Sequence, residues 1–159
     1  GVDLRPYFTY SRGRLSPAAP TTRLPGPLQE LFARLGSEIE PTRTAAVSDA
    51  AALEAASFAD LWSAIDEACA RRPHEHLLAG VIDLAAARQP EGVTLLASLL
   101  LRIPTAAIPR LAAVRLFQRF NPLPDALRPV ADAWRSSTEL ARLVERAGEA
   151  QQQAVRRRR

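Results

Sequence analysis

LLAGVIDLAAARQPEGVTLLASLLLRIPTAAIPRLAAVRLFQRF, residues Leu77 to Phe120, decides the fold class of this 159-residue chain. Alanine, leucine, valine and isoleucine dominate it, and its apolar residues recur at spacings of three and four. Leu77, Leu78, Val81, Ile82 and Ala85 form one such face, and Val93, Leu95, Leu96, Leu99 and Leu100 form the next. A proline inside a helix costs about 3 kcal/mol. Pro73 and Pro90 are therefore read as helix openings, and Pro104 and Pro109 as brackets around a turn before a helix from about Arg110 to Phe120. Asp83, Arg88, Glu91, Arg102 and Arg110 interrupt the apolar run, so no membrane span is expected. The stretch is the buried spine of an all-α domain.

Working outward, the same spacing predicts a helix from Pro27 to about Gly36, with Leu28, Leu31, Phe32 and Leu35 on one face. Pro41 reads as a breaker, after which Ser48 would cap a short alanine-rich helix through Ala56. Ser57 and Asp60 suggest a capping box for a helix to Arg71 and Arg72, carrying Phe58, Leu61, Trp62, Ile65 and Cys69. Beyond the spine, Asn121, Pro122 and Pro124 lead into a helix with Leu127, Val130 and Trp134, with Pro129 in its first turn. Ser136 and Glu139 read as a capping box for a last helix on Leu140, Leu143, Val144 and Ala147. About seven helices in antiparallel pairs result.

Three segments follow: an extended aromatic and basic arm over 1–26, a helical domain over 27–155 and an arginine tail over 156–159. Prolines 6, 17, 20 and 25 keep the arm out of helices, with a short hairpin through SRGR as a minor feature. Tyr7, Phe8, Tyr10, Arg12 and Arg14 make it a candidate contact for a partner, since three aromatics in six residues are costly to leave in water. Arg156, Arg157, Arg158 and Arg159 form the second candidate contact. Without those four the chain carries 17 basic and 17 acidic residues, so the body is near neutral and a broad nucleic-acid footprint is not expected. The chain starts at Gly1 and contains no methionine, which suggests either a processed form whose organellar import peptide has been removed or a trimmed chain.

An offset of 34 residues aligns Leu61 with Leu95, Trp62 with Leu96, Ile65 with Leu99 and Cys69 with Ile103. The same offset aligns Leu77 with Leu111, Ile82 with Leu116 and Pro90 with Pro124. Residues 57–90 and 91–124 thus read as two helical pairs, and stepping outward gives about four. With Trp62, Ala85 and Pro90 at fitting spacings, the chain resembles the tetratricopeptide and pentatricopeptide repeats, whose units are helical pairs of about 34 residues. Asp66 and Cys69 stand where the tetratricopeptide glycine and tyrosine would be. The resemblance implies a short α-solenoid; an irregular helical bundle is the other arrangement these helices allow.

Signals for chemistry are sparse. His74 and His76 flank Glu75, but residues two apart do not share a helical face, and HEH is not the H-E-x-x-H zinc motif. An exposed helix start explains them, and no metal is expected. Asp66 and Glu67 are adjacent and read as solvent-facing. The scattered glycines make no phosphate loop, and no G-x-S-x-G elbow occurs, so no catalytic residue, no cofactor and no enzyme activity is expected. Cys69, the only cysteine, reads as a small core residue.

The expectation is a non-catalytic structural or adaptor subunit that docks on protein subunits of a larger complex. In size and repeat class the chain resembles the pentatricopeptide-like accessory subunits on the catalytic head of euglenozoan mitochondrial ATP synthase. That resemblance implies an intracellular protein of the mitochondrial matrix. The alternative is an RNA-binding helical-repeat protein or ribonucleoprotein component, resting on the arginine tail and the aromatic arm. Trp62 discriminates architectures, because a period of helical pairs requires it to be packed.

Overall fold

A computed structural model of the chain describes residues 10–11, 14–15 and 24–157. Tyr10–Ser11 and Arg14–Leu15 pair antiparallel, with Tyr10 opposite Leu15, as the minor hairpin expected from SRGR. Everything else that is regular is helical: α1 (Gly26–Leu35), α2 (Glu40–Ala51), α3 (Ala55–Arg71), α4 (Glu75–Ala87), α5 (Glu91–Arg102), α6 (Arg110–Arg119), α7 (Arg128–Trp134) and α8 (Thr138–Arg157). Short 3-10 turns at Thr105–Ala107 and Asp125–Leu127 precede α6 and α7. The chain is all-α, with eight α-helices among the described residues rather than about seven.

Prolines delimit the helices, but not always as breakers. Pro27, Pro41 and Pro129 occupy first turns, where a missing N–H costs nothing. Pro41 therefore starts α2 instead of separating it from a helix at Ser48, and Ser48 lies exposed in mid-helix. The break expected after Ala56 falls at 52–54. There the Arg88 guanidinium donates from Nη1 to the carbonyls of Leu53, at 2.6 Å, and Ala51, at 3.4 Å. A side chain 35 residues away in sequence thus satisfies carbonyls that the end of α2 leaves open.

Two capping expectations shift by a few residues. Ser57 lies inside α3, which begins when the Phe58 amide bonds to the Glu54 carbonyl at 2.9 Å. Its hydroxyl meets Glu54 Oε1 at 3.4 Å. At α8 the cap is Ser137, whose Oγ accepts from the Leu140 amide at 3.4 Å. Ser136 instead donates to the Ala133 carbonyl at 2.8 Å, because α7 winds on through tight turns to Ser137.

Helix α4 is the centre of the packing, lying against α2, α5 and α6 and touching α1 and α3. Eight of its side chains from Leu77 to Ala85 are buried, together with Gly80. Gly80 is needed for that position: a Cβ there would overlap the Leu35 carbonyl oxygen at the end of α1. Gly92 serves the next crossing, since its Cβ would stand 2.8 Å from the Ala85 Cα and carbonyl oxygen. The even-numbered helices follow one another in contact from α2 to α8, and the odd-numbered ones do so from α1 to α7.

Trp62 is 6% exposed and stacks at 6.0 Å on Phe58, and Trp134 is buried edge-on against Phe117. Of the residues 34 apart, Trp62 and Leu96, Ile65 and Leu99, Cys69 and Ile103, and Ile82 and Leu116 are all buried. Leu111 is not: it is 43% exposed where Leu77 is 1%. Helix α6 also lies on α4 and α8 rather than on α5, the helix before it.

Candidate docking surface

The charged clusters within the body join helices. Asp83 on α4 is the buried charged residue among the described residues, and Arg115 on α6 grips it through Nε–Oδ1 at 2.8 Å and Nη2–Oδ2 at 2.7 Å. Arg119, one turn on, stands 3.6 Å from Asp83 Oδ1. The hydrogen bond to Asp83 holds the Arg115 guanidinium above its ordinary pKa. Arg88 lies 3.9 Å over the Phe58 ring and meets Glu91 at 3.3 Å, so it ties α2, α3, α4 and α5 together. Asp66 on α3 pairs with Arg102 on α5, which makes it half-buried rather than the solvent-facing acid expected; Glu67 is half-buried too.

The histidine pair is structural. His74 is the N-cap of α4, its Nδ1 accepting from the Leu77 amide at 3.4 Å. Burial, and then the neighbouring His76, lower its pKa below 6.5, so it is held neutral as an acceptor. His76 Nε2 stands 3.5 Å from Glu75 Oε1, and the two rings lie 5.7 Å apart. No three His, Cys, Asp or Glu side chains converge as a metal site among the described residues. Burial, with the Asp66 charge adding to it, pushes the Cys69 thiol up to about 12, which makes it an inert core group.

At the other end of the molecule α6, the 120–123 segment, α7 and α8 enclose an open cleft of about 490 Å³. Its walls are Val114, Phe117, Leu123, Leu143, Val144 and Ala147. Helix α8 builds one side: Leu140 and Val144 anchor it in the core, while Leu143 and Ala147, one turn apart, face the cleft only partly covered. Gly148 opens the wall further, with nothing within 4 Å of where a Cβ would stand. The charged residues of the lining, Arg128, Arg135, Arg146 and Asp132, are all exposed and sit at the rim. Arg128 pairs with Asp125 at 3.2 Å and Arg135 with Asp132 at 3.0 Å. Such exposed pairs three residues apart are worth a few tenths of a kcal/mol and exchange readily for another partner.

Comparison with protein-family models, curated proteins and solved structures finds no match.

Charge is divided along the chain in a way that its near-neutral body conceals. Residues 24–101 hold eleven acids against five arginines, whereas residues 102–157 hold ten arginines against five acids. The cleft belongs to the basic half. On the acidic half Ile39 is 60% exposed between Glu38 and Glu40. Among the described residues no helix is long and apolar enough to cross a membrane.

Of the residues singled out from sequence, Tyr7, Phe8, Arg12, Arg158 and Arg159 lie outside the described residues. Tyr10 and Arg14 are placed only as members of the hairpin. Arg156 and Arg157 are exposed in the last turn of α8, so two of the four tail arginines continue the helix. The cleft was not singled out. Its signal was present in the periodic apolar face Leu140, Leu143, Val144 and Ala147, which is longer than its core contacts require.

Proposed function

We propose that this chain is a non-catalytic helical adaptor, a subunit that docks on a protein partner within a larger assembly. The observation that carries this reading is the open apolar cleft between α6, α7 and α8. Partly covered Phe117, Leu123 and Leu143 line a concavity whose polar side chains, Gln118, Asn121, Asp132 and three arginines, are all exposed. A small-molecule site usually adds a few buried polar groups that fix the ligand's orientation. A protein interface has the opposite anatomy, an apolar centre within a polar, solvent-touching rim. The charged clusters elsewhere in the body are committed to joining helices.

A short solenoid in the manner of the tetratricopeptide and pentatricopeptide repeats rests on the 34-residue period alone, since α3 barely touches α4 and α6 leaves α5, where such repeats would pack each pair together. A place in a mitochondrial assembly, such as the accessory subunits of the ATP synthase head, rests on the resemblance in length and helical-pair period. Affinity purification with the intact chain tests the reading. Recovery with partner subunits at fixed stoichiometry is the expected result, and a lone species overturns it.

A second reading, an RNA-binding component, draws on the ten arginines of residues 102–157, Arg156 and Arg157 among them. A salt titration with single-stranded RNA separates the two. An RNA reader binds with a logarithmic salt slope of about −0.7 per phosphate neutralised; an adaptor shows only weak binding that vanishes near physiological salt.

A further inference from the structure

We infer that the cleft takes an acidic amphipathic helix of the partner, two or three of its apolar side chains entering between α6 and α8 and its carboxylates meeting Arg128, Arg135 and Arg146. The inference rests on the adaptor reading and names the partner's chemistry.

Three observations converge on that occupant. The cleft's volume of about 490 Å³ and its aliphatic and aromatic walls suit side chains of the leucine and phenylalanine class. An amphipathic helix delivers these at i, i+3 or i+4, and i+7, the usual mode of helix-in-groove recognition. The rim sets the sign of the charge: Arg128, Arg135 and Arg146 stand against Asp125 and Asp132, and the surplus arginine, Arg146, has no ion-pair partner among the described residues. The basic surplus of residues 102–157, ten arginines against five acids, adds to that potential and favours encounter with an acidic segment. Nucleic acid fits less well, because the lining is largely apolar side chains that suit apolar side chains of a helix, while only three arginines stand near it to meet phosphates.

The test uses the full chain and three synthetic 16-residue peptides followed by fluorescence anisotropy. The probe carries Leu, Leu and Phe at i, i+4 and i+7 on an alanine and glutamate background; one twin has lysine for every glutamate, the other serine for the apolar residues. Gly148→Leu adds bulk to the cleft lining at a position where a Cβ meets nothing within 4 Å, and its unfolding midpoint is measured beside wild type to show that the fold is kept. Arg128→Glu/Arg135→Glu/Arg146→Glu reverses the rim. The expected result is saturable binding of the glutamate probe, weakened at least about tenfold by Gly148→Leu and by either twin, with the reversed rim preferring the lysine twin.

Equal binding by Gly148→Leu, or no preference between glutamate and lysine, overturns the inference. So does displacement of the probe by oligouridylate at lower concentration than by unlabelled probe. Self-association in sedimentation that both Ile39→Ser and Gly148→Leu abolish would assign the cleft to a second copy, and would also overturn it. Affinity purification separates the two levels. Wild-type and Gly148→Leu chains recovered with the same partners would sink the cleft while leaving the adaptor reading intact, whereas a wild-type chain recovered alone would sink the adaptor.

Discussion

Arg115 holds Asp83 with both prongs of its guanidinium, at 2.8 and 2.7 Å, and in doing so fixes α6 on α4 across the middle of the molecule. The Asp83 side chain is 10% exposed, while that of Arg115 retains 33% of its surface. The acid is thus inside and the base at the boundary, an arrangement in which the arginine can hydrate if its partner is removed but the acid cannot. Position on the chain makes the pair architectural: α6 carries the cleft wall residues Val114 and Phe117, so the pair sets where that wall stands.

Asp83→Ala should destabilise the fold by about 2–3 kcal/mol, less than the 3–5 of a fully buried pair because Arg115 can turn to water. Asp83→Leu combined with Arg115→Met should regain most of that loss, since well-packed apolar replacements remove the desolvation cost of both charges. Urea midpoints at constant slope measure both.

Arg88→Ala should cost about 2–3 kcal/mol, and Arg88→Lys should recover less than half of it. A lysine keeps the charge but cannot stack flat on Phe58 while donating to two carbonyls. Amide hydrogen exchange would show the effect as lost protection in the last turn of α2 and the first of α3, beyond the global change.

These two arginines mark how far the sequence could be read. Helices with a full apolar stripe, α1, α3, α4, α5 and α6, are legible because burial and the 3.6-residue period coincide in them. Helix α2 is not, as its buried face is only Ala46, Val47 and Ala50 and its end is satisfied from Arg88, a partner that no local window contains. Ser57 and Ser136 had the residue types of caps, yet the chain enters each helix at a neighbouring position. The cleft was illegible for a related reason: Phe117, Leu123 and Leu143 have core-like spacing, and only tertiary packing decides which apolar residues are left partly open.

Acidification should loosen α4. His74 must be neutral at Nδ1 to accept the Leu77 amide, and its pKa is lowered in the folded state through burial first and the neighbouring His76 second. A folded pKa below the unfolded 6.5 means that its stabilising contribution is complete above that pH and is lost as pH falls through the lower folded value. His74→Asn keeps an acceptor at the cap without titrating. The difference in unfolding free energy between wild type and His74→Asn should be flat above neutrality and turn against wild type on acidification, which urea titrations at a series of pH values would show.

Gly80→Ala and Gly148→Ala should have opposite signs although both glycines lie inside helices. Alanine is favoured over glycine there by about 1 kcal/mol, through backbone entropy. At Gly148 nothing lies within 4 Å of the new methyl, so the gain of about 0.5–1 kcal/mol should appear in full. At Gly80 the methyl would overlap the Leu35 carbonyl oxygen and approach Arg43 Cγ at 3.2 Å. The Arg43 chain can swing aside, but the carbonyl belongs to the backbone end of α1, so α4 must move as a unit. Overpacking of that kind costs about 1–3 kcal/mol, and the net loss should fall in its upper part because a backbone atom is the obstacle. Thermal unfolding of the two single variants and the double variant measures this. The sites are on separate helices without a shared neighbour, so their effects should add within about 0.5 kcal/mol, and a larger coupling would mean that α4 and α8 do not sit independently on α6.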